Sequence, residues 1–186
     1  MALKIADVMQ EMKAVLADQK KPPLHRFHDT LNLAAGFLRP ALGRTGEKST
    51  AAVLMLDAEH SRLSFAYPRH LASGNYMPSD PDSIAGRVAQ EKKSMVFNKV
   101  AEEPHKDFFE RIPDDQGSVR PIQKMIAAPL LDKEGNVFGV VEVNRTGNDL
   151  VDAGPDFSSS DAQNLEKCCK AFAPFVMHAW AAAGKP

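Results

Sequence analysis

Apolar positions in the first forty residues recur with the period of a helix. Ile5, Val8, Met9, Met12, Val15 and Leu16 form one stripe within residues 3 to 18. After the break QKKPP, Leu24, Phe27, Leu31, Ala34, Ala35 and Leu38 form a second, which the stretch from Pro40 to Gly46 ends. The period then changes. AAVLMLD (51–57) is a continuous apolar run and RLSFAYP (62–68) alternates at Leu63, Phe65 and Tyr67, so the intervening AEHS reads as a hairpin turn. Residues 69–81, with Gly74, Pro78 and Pro81, read as irregular. DSIAGRVAQEKKSMVFN (82–98) starts as a helix behind an N-cap at Asp82 or Ser83 and finishes as a strand.

Residues 99–123 are polar apart from Phe108 and Phe109, and predict a long loop holding a short helix, of the length that often serves as a lid. MIAAPLLDKEGNVFGVVEVNR (125–145) predicts two strands around DKEGN, with Gly135 at the left-handed turn position. A last helix over 158–182 carries Leu165, Cys168, Cys169, Phe172, Val176, Ala179 and Trp180 on one face. Two hairpins with helices on either side predict an α+β fold in which an antiparallel sheet is flanked by helices.

Composition narrows the function classes. With 186 residues, 44% of them hydrophobic and 25% charged, the chain has the makings of one domain with a full core. The Pro-Pro break divides it into an N-terminal helix, 1–21, and a sheet domain, 22–186. Lys and Arg number 23 against 24 Asp and Glu, so no basic excess marks a nucleic acid or anionic lipid partner. The opening MALKIADVMQ has no secretory pattern, and the apolar run AAVLML is too short for a bilayer, so a soluble, cytoplasmic protein is expected. The two cysteines, Cys168 and Cys169, are adjacent and form neither a disulfide framework nor a CxxC metal site.

Three strings in this order resemble the GAF domain, a sensory and ligand-binding module related in fold to PAS. They are SIAGRVAQEKKSMVFNKVAEEP (83–104), MIAAPLLDKEGNVFGVVEVNR (125–145) and FSSSDAQNLEKCCKAFAPFV (157–176). With the hairpin at 51–68 the resemblance covers about three quarters of the chain. It implies an αβα layered fold and a pocket at the start of the third helix, with Gly86 letting that helix approach the sheet closely. Asn144, Phe157 and Asp161 also resemble the signature of cyclic-nucleotide-binding GAF domains, with Arg145 and Ala162 departing from it. The resemblance implies a structural ion pair between Arg145 and Asp161. The loop DDQGSVRPIQ lacks the threonines that approach a nucleotide in such domains, which argues against that ligand.

The implied pocket has Met125 and Ala127 as floor, Ile84, Ala85, Phe97, Phe108 and Phe109 as walls, and Ser83, Asn98 and Arg120 as polar anchors. Packing alone would also account for these apolar residues. For enzymatic chemistry the sequence offers little. A GAF-type methionine sulfoxide reductase would carry cysteines in its pocket loops, whereas Cys168 and Cys169 fall on the last helix. His25 with His28 and Asp29 has the spacing of a surface metal site, and His70 and His105 flank the implied pocket; solvated histidines are the simpler reading. The pairs Glu102–Glu103 and Asp114–Asp115 lie in the polar loop, and no phosphate-binding glycine motif occurs.

Two functions from different classes fit. One is a non-catalytic sensory GAF module of bacterial type, acting in signal transduction, that binds an unidentified small molecule and signals to a separate output protein. The other is a ligand-free module that only dimerises. Under either, the terminal helices are expected to pair with their copies in a homodimer. No cofactor or metal is assigned.

Overall fold

A computed structural model describes residues 4–42, 49–72, 76–103 and 121–184. Helices α1 (Ile5–Ala17) and α2 (Pro23–Leu42) precede strands β1 (Ser49–Leu56), β2 (Arg62–Tyr67) and β3 (Tyr76–Pro78). Helix α3 (Ile84–Glu91) and β4 (Met95–Phe97) follow, then β5 (Ile122–Leu131), β6 (Val137–Thr146) and α4 (Ser159–Ala182). The strands form one antiparallel sheet in the order β3-β2-β1-β6-β5-β4.

The hairpins at β1–β2 and β5–β6 stand where the hydrophobic pattern places them. Gly135 turns the second at φ +82°, while the Asp132 carboxylate accepts hydrogen bonds from the backbone N–H groups of Glu134 and Asn136 at 2.9 and 2.7 Å. Closure comes from β1 pairing with β6, from Ser49↔Arg145 to Met55↔Gly139. Every residue of β6 is buried, so the continuous apolar run VFGVV reflects a strand covered on both faces. Pro129, within β5, falls just past the three-residue β4 ladder, where no strand needs its missing N–H.

Side chains alternate between two cores. On one face α1, α2 and α4 pack on the sheet, with Val8, Met12, Leu31, Leu38, Leu165, Phe172, Val141 and Val143 at their centre. On the other, α3 covers Leu54, Leu63, Met125, Ala127 and Val140 with Ile84, Ala85 and Val88. The result is the expected α+β arrangement of αβα layers.

Two expectations change, and the packing of α1 is defined. Residues 76–78, read as irregular, form the edge strand β3, and Leu63↔Met77 pairing buries Met77; three residues are too few for a period to show. Helix α1 has a core to cover within its own chain, because Val8 and Met12 are wholly buried there and the Arg26 guanidinium donates to the Leu16 carbonyl at 2.9 Å across the Pro-Pro turn. Gly86 is small for a different neighbour than the sheet. A Cβ on it would stand 1.9 Å from the Asp80 carbonyl oxygen and 2.8 Å from the Ser79 carbonyl carbon. The backbone that leads into α3 folds back across the helix and leaves no space for a methyl group.

Gly86 and Gly36 give a matched test. Gly36 lies exposed in α2, with open space where a Cβ would go. Urea unfolding of Gly86→Ala is expected to show a loss of about 3 kcal/mol from the forced backbone shift, and Gly36→Ala a gain of up to about 1 kcal/mol from helix propensity. Equal effects at the two sites would refute the close approach.

Candidate ligand site between the third helix and the sheet

Helix α3 is set by its N-cap. The Ser83 hydroxyl accepts from the Gly86 N–H at 2.8 Å and donates to the Pro78 carbonyl at 2.7 Å, which fixes the helix start against β3. Ile84 and Ala85 then point inward and meet Phe97, Met125 and Ala127 in one buried layer. Six of the ten residues expected to touch a ligand therefore share this side of the sheet. Ser83 already uses its donor and one acceptor position in the cap.

Asn98 stands apart from that group. Its amide donates to the Phe157 carbonyl at 3.0 Å and its side-chain oxygen accepts from the Phe157 N–H at 2.8 Å, so both ends tie β4 to the segment entering α4. These bonds make it a brace between two chain segments. Phe108, Phe109, Arg120 and His105 lie outside the described residues.

The expected ion pair between Arg145 and Asp161 is replaced by two separate arrangements. Asp161 occupies the third position of α4, and its carboxylate accepts from the Ser158 N–H at 2.7 Å while its own N–H donates to the Ser158 hydroxyl at 3.2 Å. This reciprocal capping box explains its place in the FSSSD string. Arg145 donates to the carbonyls of Pro155 and, at 3.2 Å, Leu42, with its guanidinium 3.8 Å from the Phe157 ring centroid. A planar fork can hold two carbonyls and stack on a ring at once, which suits arginine for joining the end of α2 to the approach to α4.

The residue that sequence reasoning passed over is Glu142. It stands mid-way along β6, wholly buried, and neither carboxyl oxygen has a hydrogen-bond partner. Its cross-strand neighbours are Ala52 on β1 and Ala127 on β5, both in the core under α3, so Glu142 faces that helix. Two positions on, and so on the same face, Asn144 lies between Thr50 and Met125 with its side-chain oxygen buried and unpartnered. The signal was present in GVVEVNR, where one carboxylate interrupts a run that only a doubly covered strand would carry. Its partners lie far away in sequence, so the string alone did not show that it turns inward.

Burial without compensation pushes the Glu142 carboxyl up to about 8 from an ordinary 4.5. The charged residue of α3 nearest in the chain to the inward-facing positions, Arg87, is engaged by Glu103 at 3.0 Å beside the Phe97 ring. The cysteines belong to the opposite core: burial raises the Cys168 thiol to about 11 and Cys169 higher still, and both pack under the long helices. Among the described residues no group of three or more His, Cys, Asp or Glu side chains could hold a metal ion, and no helix is long and apolar enough to cross a membrane.

Removal of the buried charge gives a direct check. Because the folded-state value lies above the unfolded one, the native protein binds the extra proton between about pH 4.5 and 8. The stability linked to it is complete below that window and declines as pH rises through it. In ligand-free protein, Glu142→Gln is expected to abolish this decline and to be more stable than wild type above pH 8, by on the order of 4 kcal/mol. Thermal unfolding of both proteins from pH 4 to 9 measures it; parallel profiles would mean that the carboxyl is solvated.

No family model matches the chain, and no curated protein matches it. Solved structures do. The GAF domain of a phosphoenolpyruvate-protein phosphotransferase from Coxiella burnetii is 11% identical with a TM-score of 0.67, over 98% of both chains. Residues 122 to 287 of a methyl-accepting chemotaxis protein are 14% identical with a TM-score of 0.64, over 94% of this chain and 97% of that one. The free methionine-R-sulfoxide reductase of Neisseria meningitidis, solved with its substrate, is 18% identical with a TM-score of 0.57, over 96% and 91%. At these identities the likeness is one of fold, and it extends over nearly the whole chain. The protein has the fold of a GAF domain.

Proposed function

We propose that this protein is a non-catalytic sensory module that binds a small molecule between α3 and the sheet, over Glu142 and Asn144, and passes its occupancy to a separate output protein in signal transduction. The observation that carries the reading is the unpartnered Glu142 carboxyl. A buried polar group without a hydrogen bond costs about 1–3 kcal/mol, and more when charged. Such a group is retained at a functional site far more readily than in a core that leucine would fill. The residues directly opposite it on both flanking strands are alanines, whose side chains can supply no donor.

Two further points support it. The alternative of a ligand-free dimeriser began from apolar stripes on the terminal helices in need of a partner. Among the described residues the large exposed apolar side chains are Leu24, Tyr76 and Val151, scattered over α2, β3 and a loop, and none belongs to α1 or α4. The non-catalytic reading rests on the cysteines, which pack on the far side of the sheet from Glu142. That distinguishes this site from thiol chemistry of the kind a sulfoxide reductase would need. The chemotaxis protein, whose domain shares the fold, illustrates the signalling context.

Fractions of a metabolite extract screened by thermal shift test the proposal, followed by native mass spectrometry of any stabilised complex. At least one fraction is expected to raise the unfolding temperature and to add a mass that leaves on denaturation. Ala127→Leu, which fills the space beside Glu142, is expected to abolish both effects. If no fraction stabilises the protein, or if Ala127→Leu responds as wild type does, the reading fails.

A further inference from the structure

We infer that the ligand places a positively charged nitrogen group, an ammonium or an amidinium-type cation, against Glu142 and Asn144. The inference rests on the proposed binding role and specifies its chemistry. Three buried oxygens on one face of β6 have no donor: both carboxyl oxygens of Glu142 and the side-chain oxygen of Asn144. Residues two apart on a strand are about 7 Å apart, close enough for one ligand end to serve both. A group made only of acceptors, such as a carboxylate or phosphate, could take only the O–H of a protonated Glu142, would leave the other oxygens unmet, and would be repelled once Glu142 ionises. A hydroxyl brings one donor. An ammonium brings three and an amidinium several in a plane, and either supplies the charge that an ionised Glu142 lacks.

The surroundings leave this role open. Among the described residues, Ala52 of β1 and Ala127 of β5 stand opposite Glu142, Thr50 and Met125 stand opposite Asn144, and Ile84, Ala85 and Val88 of α3 belong to the same buried layer. None of these is charged. Of the two charged residues within the same helix, Glu91 is exposed and pairs with Lys93, and Arg87 donates through one Nη to Glu103 while its Nε and other Nη are buried without a partner. A cation entering here would meet the carboxyl in a dry layer, where attraction between charges is strongest. It would also have to displace the proton that burial holds on Glu142 up to about pH 8. Affinity for a cation should therefore rise with pH up to that point, by as much as about tenfold per unit.

Butylammonium, butylguanidinium, butanol and butyrate serve as probes of matched length, observed by saturation-transfer NMR on the full chain between pH 6 and 8.5. The two cations are expected to bind, more tightly as pH rises. In Glu142→Gln their affinity is expected to fall at least about tenfold and to lose its pH dependence. This variant keeps the shape of the side chain and is expected to be the more stable protein at high pH, so its folding is not in question. Equal binding of the cations to both proteins, a flat pH profile, or no binding by either cation overturns the inference. Binding of butyrate or butanol in their place overturns the cationic class and leaves a small-molecule site standing. If extract fractions also leave the unfolding temperature unchanged, the binding role falls with it.

Discussion

The pairing of β1 with β6 is the constraint on which the rest of the molecule depends. Between these strands the chain passes through β2, β3, α3, β4 and all of β5, and their ladder runs unbroken from Ser49↔Arg145 to Met55↔Gly139. It joins the two hairpins into one sheet and places β6 at the centre. A strand in that position has both faces covered, one by three helices and the other by α3. A polar residue on β6 is therefore far from water whichever way it points. Along this strand, alternation decides not between core and solvent but between two cores.

From that position follows the asymmetry between the faces. Residues that turn toward the long helices, Val141 and Val143, meet Leu165 and Phe172 in close apolar packing. The polar exception there, Arg145, finds carbonyls and an aromatic ring to engage. Residues that turn toward α3 include Glu142 and Asn144, whose oxygens meet nothing. The oxygens without a donor on β6 lie on the α3 face. That face also lies under α3, the shortest of the four described α-helices, whose start is tied down by hydrogen bonds from Ser83 and by the close passage of the backbone at Asp80 over Gly86. The proposed binding role builds on this fixed helix start above oxygens that have no partner.

Side chains that join distant segments do most of the remaining positioning. Asn98 bonds to both backbone groups of Phe157, Lys124 reaches the Gly154 carbonyl at 2.6 Å and the Asp156 carboxylate at 2.7 Å, and Arg145 reaches the end of α2. All three converge on residues 154–157, the approach to α4. This segment has no regular structure of its own, so its backbone groups must find partners elsewhere. The long helix is thereby anchored to the sheet from both the β4 and the β5 side.

Periodicity in the sequence was enough to locate four helices and the two hairpins, because a stripe at 3.6 residues or an apolar run beside a turn glycine is a local property. The strings around Gly86, Gly135 and Asp161 were enough for the resemblance to a GAF domain. The short edge strand β3 was not legible, since its only support is the partner strand. Nor was the role of Asn98, Arg145 or Asp161: each looked like a ligand anchor or an ion-pair member, and each found a nearer backbone partner once the chain was folded. Gly86 was marked by its sequence as a close approach, but what approaches it is the backbone of residues 79 and 80. Most of all, the inward orientation of Glu142 depended on β1 and β5 lying on either side of its strand. A sequence records which residues are polar; only the folded chain decides which of them are left without water and without a partner, because that depends on neighbours brought together from far along the chain.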